Sequence, residues 1–234
     1  MRHISFIFLL LLAHFSAMSQ GYNLDQFNLE GDLNKWYSNL FDSTNTKPLT
    51  GPVPSLPRSG SGTYVFFIEE EPNWLESTLN YDNRLYTNVR LKYDILNQEV
   101  YVLHPLHLQP LSLNQEQVVF FKTPYGTFKP KTNGKGYSLM FFEGNTLSFV
   151  KESSKRLIAK DGELSYKRSD DYFLITADKK LQIRNAKSFA RLYPAHEKEI
   201  KRFMWSKDAK RIKRRDKEEY LTHVAKFCDK FPSL

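Results

Sequence analysis

Apolar and polar residues alternate over much of the chain between residues 63 and 185. In residues 89–95 every second side chain is apolar, and Arg90, Lys92 and Asp94 lie between them. Residues 180–184 repeat this pattern. A period of two places one face of a strand in a core and the other face in water. Five further runs are apolar on both faces and predict strands that are buried on both sides: 64–68, 100–103, 118–121, 139–142 and 172–175.

Turn-forming dipeptides separate many of these runs. Asn97-Gln98, Gly144-Asn145, Asp161-Gly162 and Asp178-Lys179 each lie between two strand-like segments, where they predict hairpins. Successive hairpins form a meander, so the sequence predicts a mainly β (α+β) fold with about eight to ten antiparallel strands. Because a sheet of that width curls, we expect a curved, barrel-like sheet or two packed layers.

The period changes after residue 185. Apolar residues recur at helical spacing in residues 200–204 and again in residues 221–228. Asp216, followed three positions later by Glu219, has the form of an N-cap and capping box at the start of the last helix. The sequence therefore predicts two or three short helices in residues 186–234, packed on the sheet.

The first 19 residues have the pattern of a cleavable signal peptide. An apolar run covers residues 4–15, and the small residues Ala17 and Ser19 precede a cleavage point before Gln20. The run is shorter than the roughly 20 apolar residues that a bilayer-spanning helix needs. We therefore expect an exported chain that begins at Gln20 and resides in the periplasm or outside the cell.

Two segments separate this leader from the β region. Residues 20–41 carry Leu33, Trp36 and Leu40 at helical spacing, which predicts a short helix. Residues 42–62 contain four prolines and three glycines, a composition typical of a linker or extended arm. The expected organisation is a signal peptide (1–19), a helical segment (20–41), a Pro/Gly/Ser-rich linker (42–62), an antiparallel β domain (63–185) and basic C-terminal helices (186–234).

Positive charge is concentrated near the C-terminus. Residues 20–186 carry 19 basic and 19 acidic side chains, whereas residues 187–234 carry 14 basic and 7 acidic ones. The positive field of this chain, whose net charge is +8, therefore belongs mainly to its last fifth. Such asymmetry indicates an anionic partner.

Residues 80–100, with the sequence NYDNRLYTNVRLKYDILNQEV, resemble a recurring segment in exported proteins of Bacteroidetes-type bacteria. Proteins of that group are similar in plan to residues 62–230 of this chain, with a β-meander and a basic helical C-terminus that ends in aromatic residues. No activity is known for the group. The resemblance therefore implies an exported location and a β-rich architecture, and it assigns no catalytic residue.

Few residues have the spacing of a catalytic or metal site. Pro105 between His104 and His107 prevents a shared helical face, and a zinc site needs at least three protein ligands. Cys228, the only cysteine, lies on the apolar stripe of the last helix, where a buried structural thiol is favoured over a nucleophile. The three glutamates at 69–71 are typical of a solvated strand end. The sequence predicts no catalytic residue, no metal ligand and no cofactor.

The strongest functional indication is residues 207–217, which we call the basic segment. Its net charge is +5 in eleven residues, and such density attracts anionic surfaces. In a bacterial envelope these are lipid head groups, lipopolysaccharide phosphates and acidic glycans. The expected export disfavours nucleic acid as the binding partner, and no nucleic-acid-binding motif accompanies the segment. A solvated turn without a partner has the same composition. The candidate anion-binding residues are Lys207, Lys210, Arg211, Lys213, Arg214, Arg215 and Lys217.

These observations favour a non-enzymatic exported protein that binds an anionic envelope surface or another envelope protein. One alternative is a binder of small apolar ligands with a pocket inside the barrel, which strands apolar on both faces would permit. A further alternative is a periplasmic hydrolase that uses dispersed carboxylates or His104, His107 and His196. A filled interior would count against the ligand binder, and convergence of the histidines with a carboxylate would favour the hydrolase.

Overall fold

Ten strands form one antiparallel sheet in the computed structural model, which describes residues 47–54, 65–68, 74–132, 134–160 and 163–232. The predicted signal peptide, the predicted N-terminal helix and the glutamates at 69–71 lie outside the described residues. The strands are β1 (Leu75–Tyr81), β2 (Arg84–Asp94), β3 (Glu99–Leu103), β4 (Pro110–Ser112), β5 (Val118–Thr123), β6 (Gly126–Pro130), β7 (Tyr137–Glu143), β8 (Ser148–Lys160), β9 (Glu163–Ile175) and β10 (Lys180–Gln182). The predicted mainly β fold is confirmed.

Two meanders make up the sheet. The strands β1 to β4 are neighbours in chain order, and so are β5 to β10; pairing of β1 with β5 joins the two sets. The hairpins predicted at Asn97-Gln98, Gly144-Asn145 and Asp178-Lys179 are confirmed. Asp161-Gly162 lies outside the described residues, although β8 and β9 pair right up to it.

A hairpin that the sequence analysis did not single out joins β1 to β2. Asp82 and Asn83 both have positive φ angles, 52° and 59°. Two consecutive left-handed residues define the turn whose twist matches that of the flanking strands, and Asp and Asn tolerate this conformation. Residues 80–100 therefore form the end of β1, all of β2 and the start of β3.

The sheet curls over on itself without closing. In the middle of β8, Lys155 donates its backbone N–H to the Ile95 carbonyl (2.9 Å), and the Gln98 side chain donates to the Ser153 carbonyl (3.1 Å). On β9 the Arg168 guanidinium donates to the Phe67 carbonyl (2.7 Å). The long β8–β9 hairpin thus crosses the end of the β2–β3 hairpin, and β4 and β10 remain at the two edges.

Aromatic side chains fill the space inside this curl. Phe121 stacks on Phe128 with ring centroids 4.7 Å apart, and Tyr137 meets Phe121 edge-on at 5.0 Å. Tyr93 packs against all three rings, at 5.5 to 5.7 Å. The cavity beside these rings measures about 20 Å³, which is room for a single water molecule. The described interior is therefore a packed core.

The alternation predicted for residues 89–95 is confirmed at three apolar positions, is weaker at the half-buried Val89 and fails at one acid. Leu91, Tyr93 and Ile95 are buried as predicted. The prediction that Asp94 faces water is wrong, because its side chain is fully buried. Its carboxylate accepts N–H groups from Leu96 and Asn97 in the turn that follows, so the hydrogen bonds of the turn replace those of water.

Two stretches at the start of the described chain differ from regular strands. The predicted strand at residues 64–68 is reduced to one bridge, between Phe66 and Asp94, within its described part. Residues 47–54, from the predicted linker, lie against the edge of the sheet, where Ser112 donates its N–H to the Pro52 carbonyl (2.9 Å). A 3₁₀ turn, Lys47–Thr50, begins this stretch.

Four α-helices follow the sheet, where two or three were predicted: α1 (Ala186–Leu192), α2 (Glu197–Met204), α3 (Lys207–Arg215) and α4 (Lys217–Cys228). Asp216 separates α3 from α4. Its N–H ends α3 on the Ile212 carbonyl, while its carboxylate caps α4 by accepting the N–H groups of Glu218 and Glu219. The predicted N-cap is thus confirmed. Glu219 does not complete a capping box, because its carboxylate pairs with Arg215 instead.

The helices cover the outer face of β7 to β9 and form a second core there. Phe189 of α1 and Leu221 of α4 are buried against Phe149 and Leu174 of the sheet. A polar contact joins the same layers: the Glu218 carboxylate accepts hydrogen bonds from Lys151 on β8 (2.8 Å) and from the Tyr172 hydroxyl (2.7 Å). β7 is therefore covered on both faces, with Leu139 inside the curl and Phe142 against the second core. The prediction that residues 118–121 are buried on both faces is wrong, because Val119 is 41% exposed.

Asp229, just after α4, ties the end of the chain to the β7–β8 turn. Its carboxylate accepts backbone N–H groups from Asn145, Thr146 and Leu147 at 2.8 to 3.1 Å, and the Thr146 hydroxyl at 2.9 Å. A Cβ atom on Gly144 would overlap this carboxylate, which explains the glycine at that position. Partial burial of Asp229 raises its pKa, but the hydrogen bonds outweigh this effect, and the net pKa is lowered.

Asp229→Asn is expected to lower the free energy of unfolding at neutral pH by about 1 kcal/mol, because charge-assisted hydrogen bonds are lost at a site that water still reaches. Since the folded-state pKa lies below the unfolded one, the stability difference from wild type is complete above the unfolded pKa, near 4. This stability difference disappears as the pH falls through the pKa that Asp229 has in the folded state. Urea unfolding at several pH values measures this. Asp178→Asn, in the exposed β9–β10 turn, is the control, and an equal loss there would contradict the assignment.

Candidate anion-binding groove

The basic segment forms α3 and the first residue of α4. The Ser206 hydroxyl caps α3 by accepting the Ala209 N–H, and Ala209 and Ile212 anchor the helix on the second core. All seven basic residues of the segment are exposed. Because they occupy one helix and the start of the next, they point to two different sides of α3.

One side of α3 faces a concave surface that we call the basic groove. All four helices line it, and its volume is about 960 Å³. The cationic residues of its wall come from α1, α2, α3 and α4: Lys187, Arg191, Lys201, Lys210, Lys213 and Lys217. A single carboxylate, that of Glu197, lies among the lining residues of the groove. Six cations therefore face one opening against one anion.

Three of the groove lysines make cation–π contacts with aromatic rings. The Lys210 ammonium lies 4.9 Å from the centre of the Trp205 ring, and Lys213 lies 5.8 Å from that of Tyr220. Lys217 lies 5.3 Å from the Tyr172 ring. Each such contact orients an ammonium group with about 0.5–1 kcal/mol and leaves its charge uncompensated. Within the described residues, no ion pair joins any of these three lysines to a carboxylate.

The one carboxylate of the groove is already engaged. Lys201 pairs with Glu197 one helical turn away. The pKa of Glu197 is lowered, first by the hydrogen bond from Lys201, then by the charge of Lys201, and also by the charge of Arg191. Glu197 therefore neutralises one cation of the wall and leaves the charge of the groove strongly positive.

The apolar part of the groove lies beneath these cations. Ala186, Ala190, Tyr220 and Leu221 are buried and form its floor, and Met204 is half-buried. Trp205, at the corner between α2 and α3, is 67% exposed. The groove thus combines a cationic wall with an apolar floor and an exposed indole ring.

The other side of α3 carries the remaining cations of the basic segment. Lys207, Arg211, Arg214 and Arg215 line a more open depression of about 420 Å³, which Lys210 borders. Two of its arginines have carboxylate partners: Arg211 pairs with Asp208 (3.5 Å) and Arg215 pairs with Glu219 (2.6 Å). This outer side therefore keeps less uncompensated charge than the basic groove.

Half of the cations of the groove belong to the set predicted from the sequence. Lys210, Lys213 and Lys217 belong to the predicted anion-binding set, whereas Lys187, Arg191 and Lys201 do not. These three lie on α1 and α2 and reach the groove only because both helices pack against α4. The sequence places these three residues on the polar faces of two amphipathic helices. It does not indicate that the two faces line the same groove.

The other predicted candidates do not assemble into one site. His104 and His107 pack ring against ring at 4.5 Å, and His104 Nδ1 accepts the N–H groups of Leu106 and His107. His196 instead stacks on Phe231 at 4.0 Å. No three His, Cys, Asp or Glu side chains of the described ranges lie close enough to hold a metal ion together. Cys228 is fully buried, and burial raises the pKa of its thiol to about 12.

No protein-family model, no curated protein and no solved structure matches the chain. Among the described helices, none combines the length and the apolar character needed to cross a membrane.

Proposed function

We propose that this chain is an exported, non-enzymatic accessory protein that binds an anionic component of the bacterial envelope through the basic groove. The candidate components share phosphate or carboxylate groups: lipid head groups, lipopolysaccharide and acidic glycans. The observation that carries the proposal is the convergence of six cations from four helices on one concave surface, with a single carboxylate among them. A concave surface of one charge sign concentrates its field and attracts anions more strongly than a flat one.

The packed interior of the curled sheet favours this proposal over a barrel that binds small apolar ligands. Its cavity of about 20 Å³ is far below the roughly 300–1,000 Å³ of ordinary ligand pockets. The basic groove, at about 960 Å³, lies within that range.

The triple variant Lys210→Ser/Lys213→Ser/Lys217→Ser is expected to bind anionic vesicles about a hundredfold more weakly than the wild type. Each basic residue near an acidic membrane contributes about 1 kcal/mol, and three of them correspond to about two orders of magnitude in affinity. Co-sedimentation with vesicles of phosphatidylglycerol and phosphatidylcholine, or with lipopolysaccharide, measures this, and added salt should weaken wild-type binding.

The matched control is Lys207→Ser/Arg211→Ser/Arg214→Ser, which removes the same charge from the outer side of α3. We expect a clearly smaller loss, because Arg211 already has a carboxylate partner. Equal losses in the two triple variants would mean that net charge acts without the groove. Wild-type binding that is absent, or that salt does not weaken, would refute the proposal.

Export is testable separately. The full-length chain, expressed in a Gram-negative host, is expected to accumulate outside the cytoplasm with Gln20 as its first residue, because Ala17 and Ser19 fit the specificity of signal peptidase. N-terminal sequencing of the mature protein and cell fractionation measure this. Recovery of an intact chain in the cytosol that begins with Met1 would remove the envelope from the proposal.

A further inference from the structure

The floor of the basic groove contains more apolar surface than a solvated cationic face requires. Met204 is only half-buried and Trp205 is two-thirds exposed, although both lie among cations that interact well with water. Exposure of a large apolar side chain to water is unfavourable, and the free-energy cost grows with the exposed area. A bound molecule that covers Met204 and Trp205 would recover this free energy, and an anion without an apolar part would not.

The shape of the groove restricts the kind of molecule that reaches its floor. The cations come from all four helices and surround a depression, so a flat surface meets the wall before it meets Ala186 or Leu221 beneath. A volume of about 960 Å³ matches the upper end of the range for single bound ligands. The small side chains Ala186 and Ala190 create this depth, because larger residues at these positions would fill it.

From these observations we infer that the basic groove binds a single anionic amphiphile, a molecule that carries a phosphate or carboxylate group on an apolar body. The apolar body lies on the floor beside Met204 and Trp205, and the anionic group meets the lysines of the wall. Lys210 lies where the two parts of the ligand meet, because its ammonium group lies over the Trp205 ring. This inference rests on the proposed function and adds the class of ligand to it.

The test uses small soluble probes and isothermal titration calorimetry with the mature chain. The main probe is short-chain phosphatidylglycerol below its critical micelle concentration. Glycerol 3-phosphate has the anionic group without the chains, and short-chain phosphatidylcholine has the chains without net charge. We expect one molecule of phosphatidylglycerol per chain, and affinities about tenfold or more lower for the other two probes. Octanoate, in a parallel titration, shows whether a carboxylate serves as well as a phosphate.

Two variants separate the floor from the wall. Trp205→Ala is expected to weaken the binding of short-chain phosphatidylglycerol about tenfold and that of glycerol 3-phosphate much less, because only the orientation of Lys210 is then affected. Lys210→Ser/Lys213→Ser is expected to weaken both. Because Trp205 is exposed, its replacement should leave thermal unfolding unchanged, and the unfolding curve of each variant verifies its fold.

The outcomes distinguish this inference from the proposed function. Glycerol 3-phosphate that binds as tightly as phosphatidylglycerol, or a Trp205→Ala variant with unchanged affinity for both, would overturn the amphiphile and leave an anion-binding groove. Wild-type binding of vesicles without any binding of short-chain phosphatidylglycerol would also overturn it. Failure of every anionic probe, vesicles included, would overturn both.

Discussion

Phe121→Ala is expected to lower the free energy of unfolding by about 3–5 kcal/mol, the usual loss when a large aromatic side chain is removed from a packed core. Phe121 is fully buried and contacts Phe128 at 4.7 Å, Tyr137 at 5.0 Å and Tyr93 at 5.7 Å between ring centroids. The rings surround it on several strands, so neighbouring side chains cannot move in without disturbing the sheet. Guanidinium unfolding, followed by tyrosine and tryptophan fluorescence, measures the loss.

Val119→Ala on the same strand is the control for this prediction. Val119 is 41% exposed, so its truncation should change the free energy of unfolding by less than about 1 kcal/mol. A loss for Phe121→Ala that is no larger than that for Val119→Ala would mean that the interior of the curled sheet is loosely packed. An interior of that kind would revive the small-ligand barrel.

Phe189→Ala is expected to cost a similar amount, about 3–5 kcal/mol, through the second core. Phe189 is fully buried between the helices and the sheet, and its ring lies 5.9 Å from that of Phe149 on β8. Its neighbours on α1, Ala186 and Ala190, line the basic groove. The variant should therefore lose vesicle binding and helical circular dichroism together as denaturant is added.

Lys187→Ala, on the exposed side of the same helix, is the matched control. Its free energy of unfolding should stay within about 0.5 kcal/mol of the wild-type value, because an exposed side chain is removed. Helical circular dichroism of Phe189→Ala that persists after vesicle binding is lost would contradict the coupling of α1 to the groove.

The sheet was largely predictable because its determinants are local. Alternation in residues 89–95 is a property of neighbouring residues, and Asn97-Gln98 and Gly144-Asn145 mark turns through their own conformational preferences. Asp94 is the exception, since its polarity predicts exposure to water although its side chain is buried. Its burial depends on the N–H groups of Leu96 and Asn97, which become partners only when that turn forms.

The helices were less predictable because α3 has little apolar periodicity. Among its nine residues only Ala209 and Ile212 face the core, so the sequence indicates a charged segment more clearly than it indicates a helix. The end of α3 and the start of α4 share one residue, Asp216. Its capping side chain was predicted, whereas its role in ending the preceding helix was not.

The candidate site was half predictable for a geometric reason. Charge density identified Lys210, Lys213 and Lys217, since they are close together in the sequence. Arg191 and Lys201 join them through the packing of α1 and α2 on α4, a long-range contact that no local pattern encodes. The separation of the basic segment into a groove side and an outer side likewise depends on which face of α3 the neighbouring helices cover.

The two outermost strands of the sheet, β4 and β10, have three residues each. A long unpaired strand edge is a template on which other chains add strands and aggregate. β4 begins with Pro110, which lacks a backbone N–H, and its Ser112 N–H is already bonded to Pro52. β10 is equally short, and the ammonium of its first residue, Lys180, pairs with Glu152 (2.7 Å). The two end strands therefore offer a foreign strand only short rows of hydrogen-bonding groups. Among the described strands, β9 pairs with β10 only at residues 173–175, so the first part of β9 is the longer edge at which another strand could add.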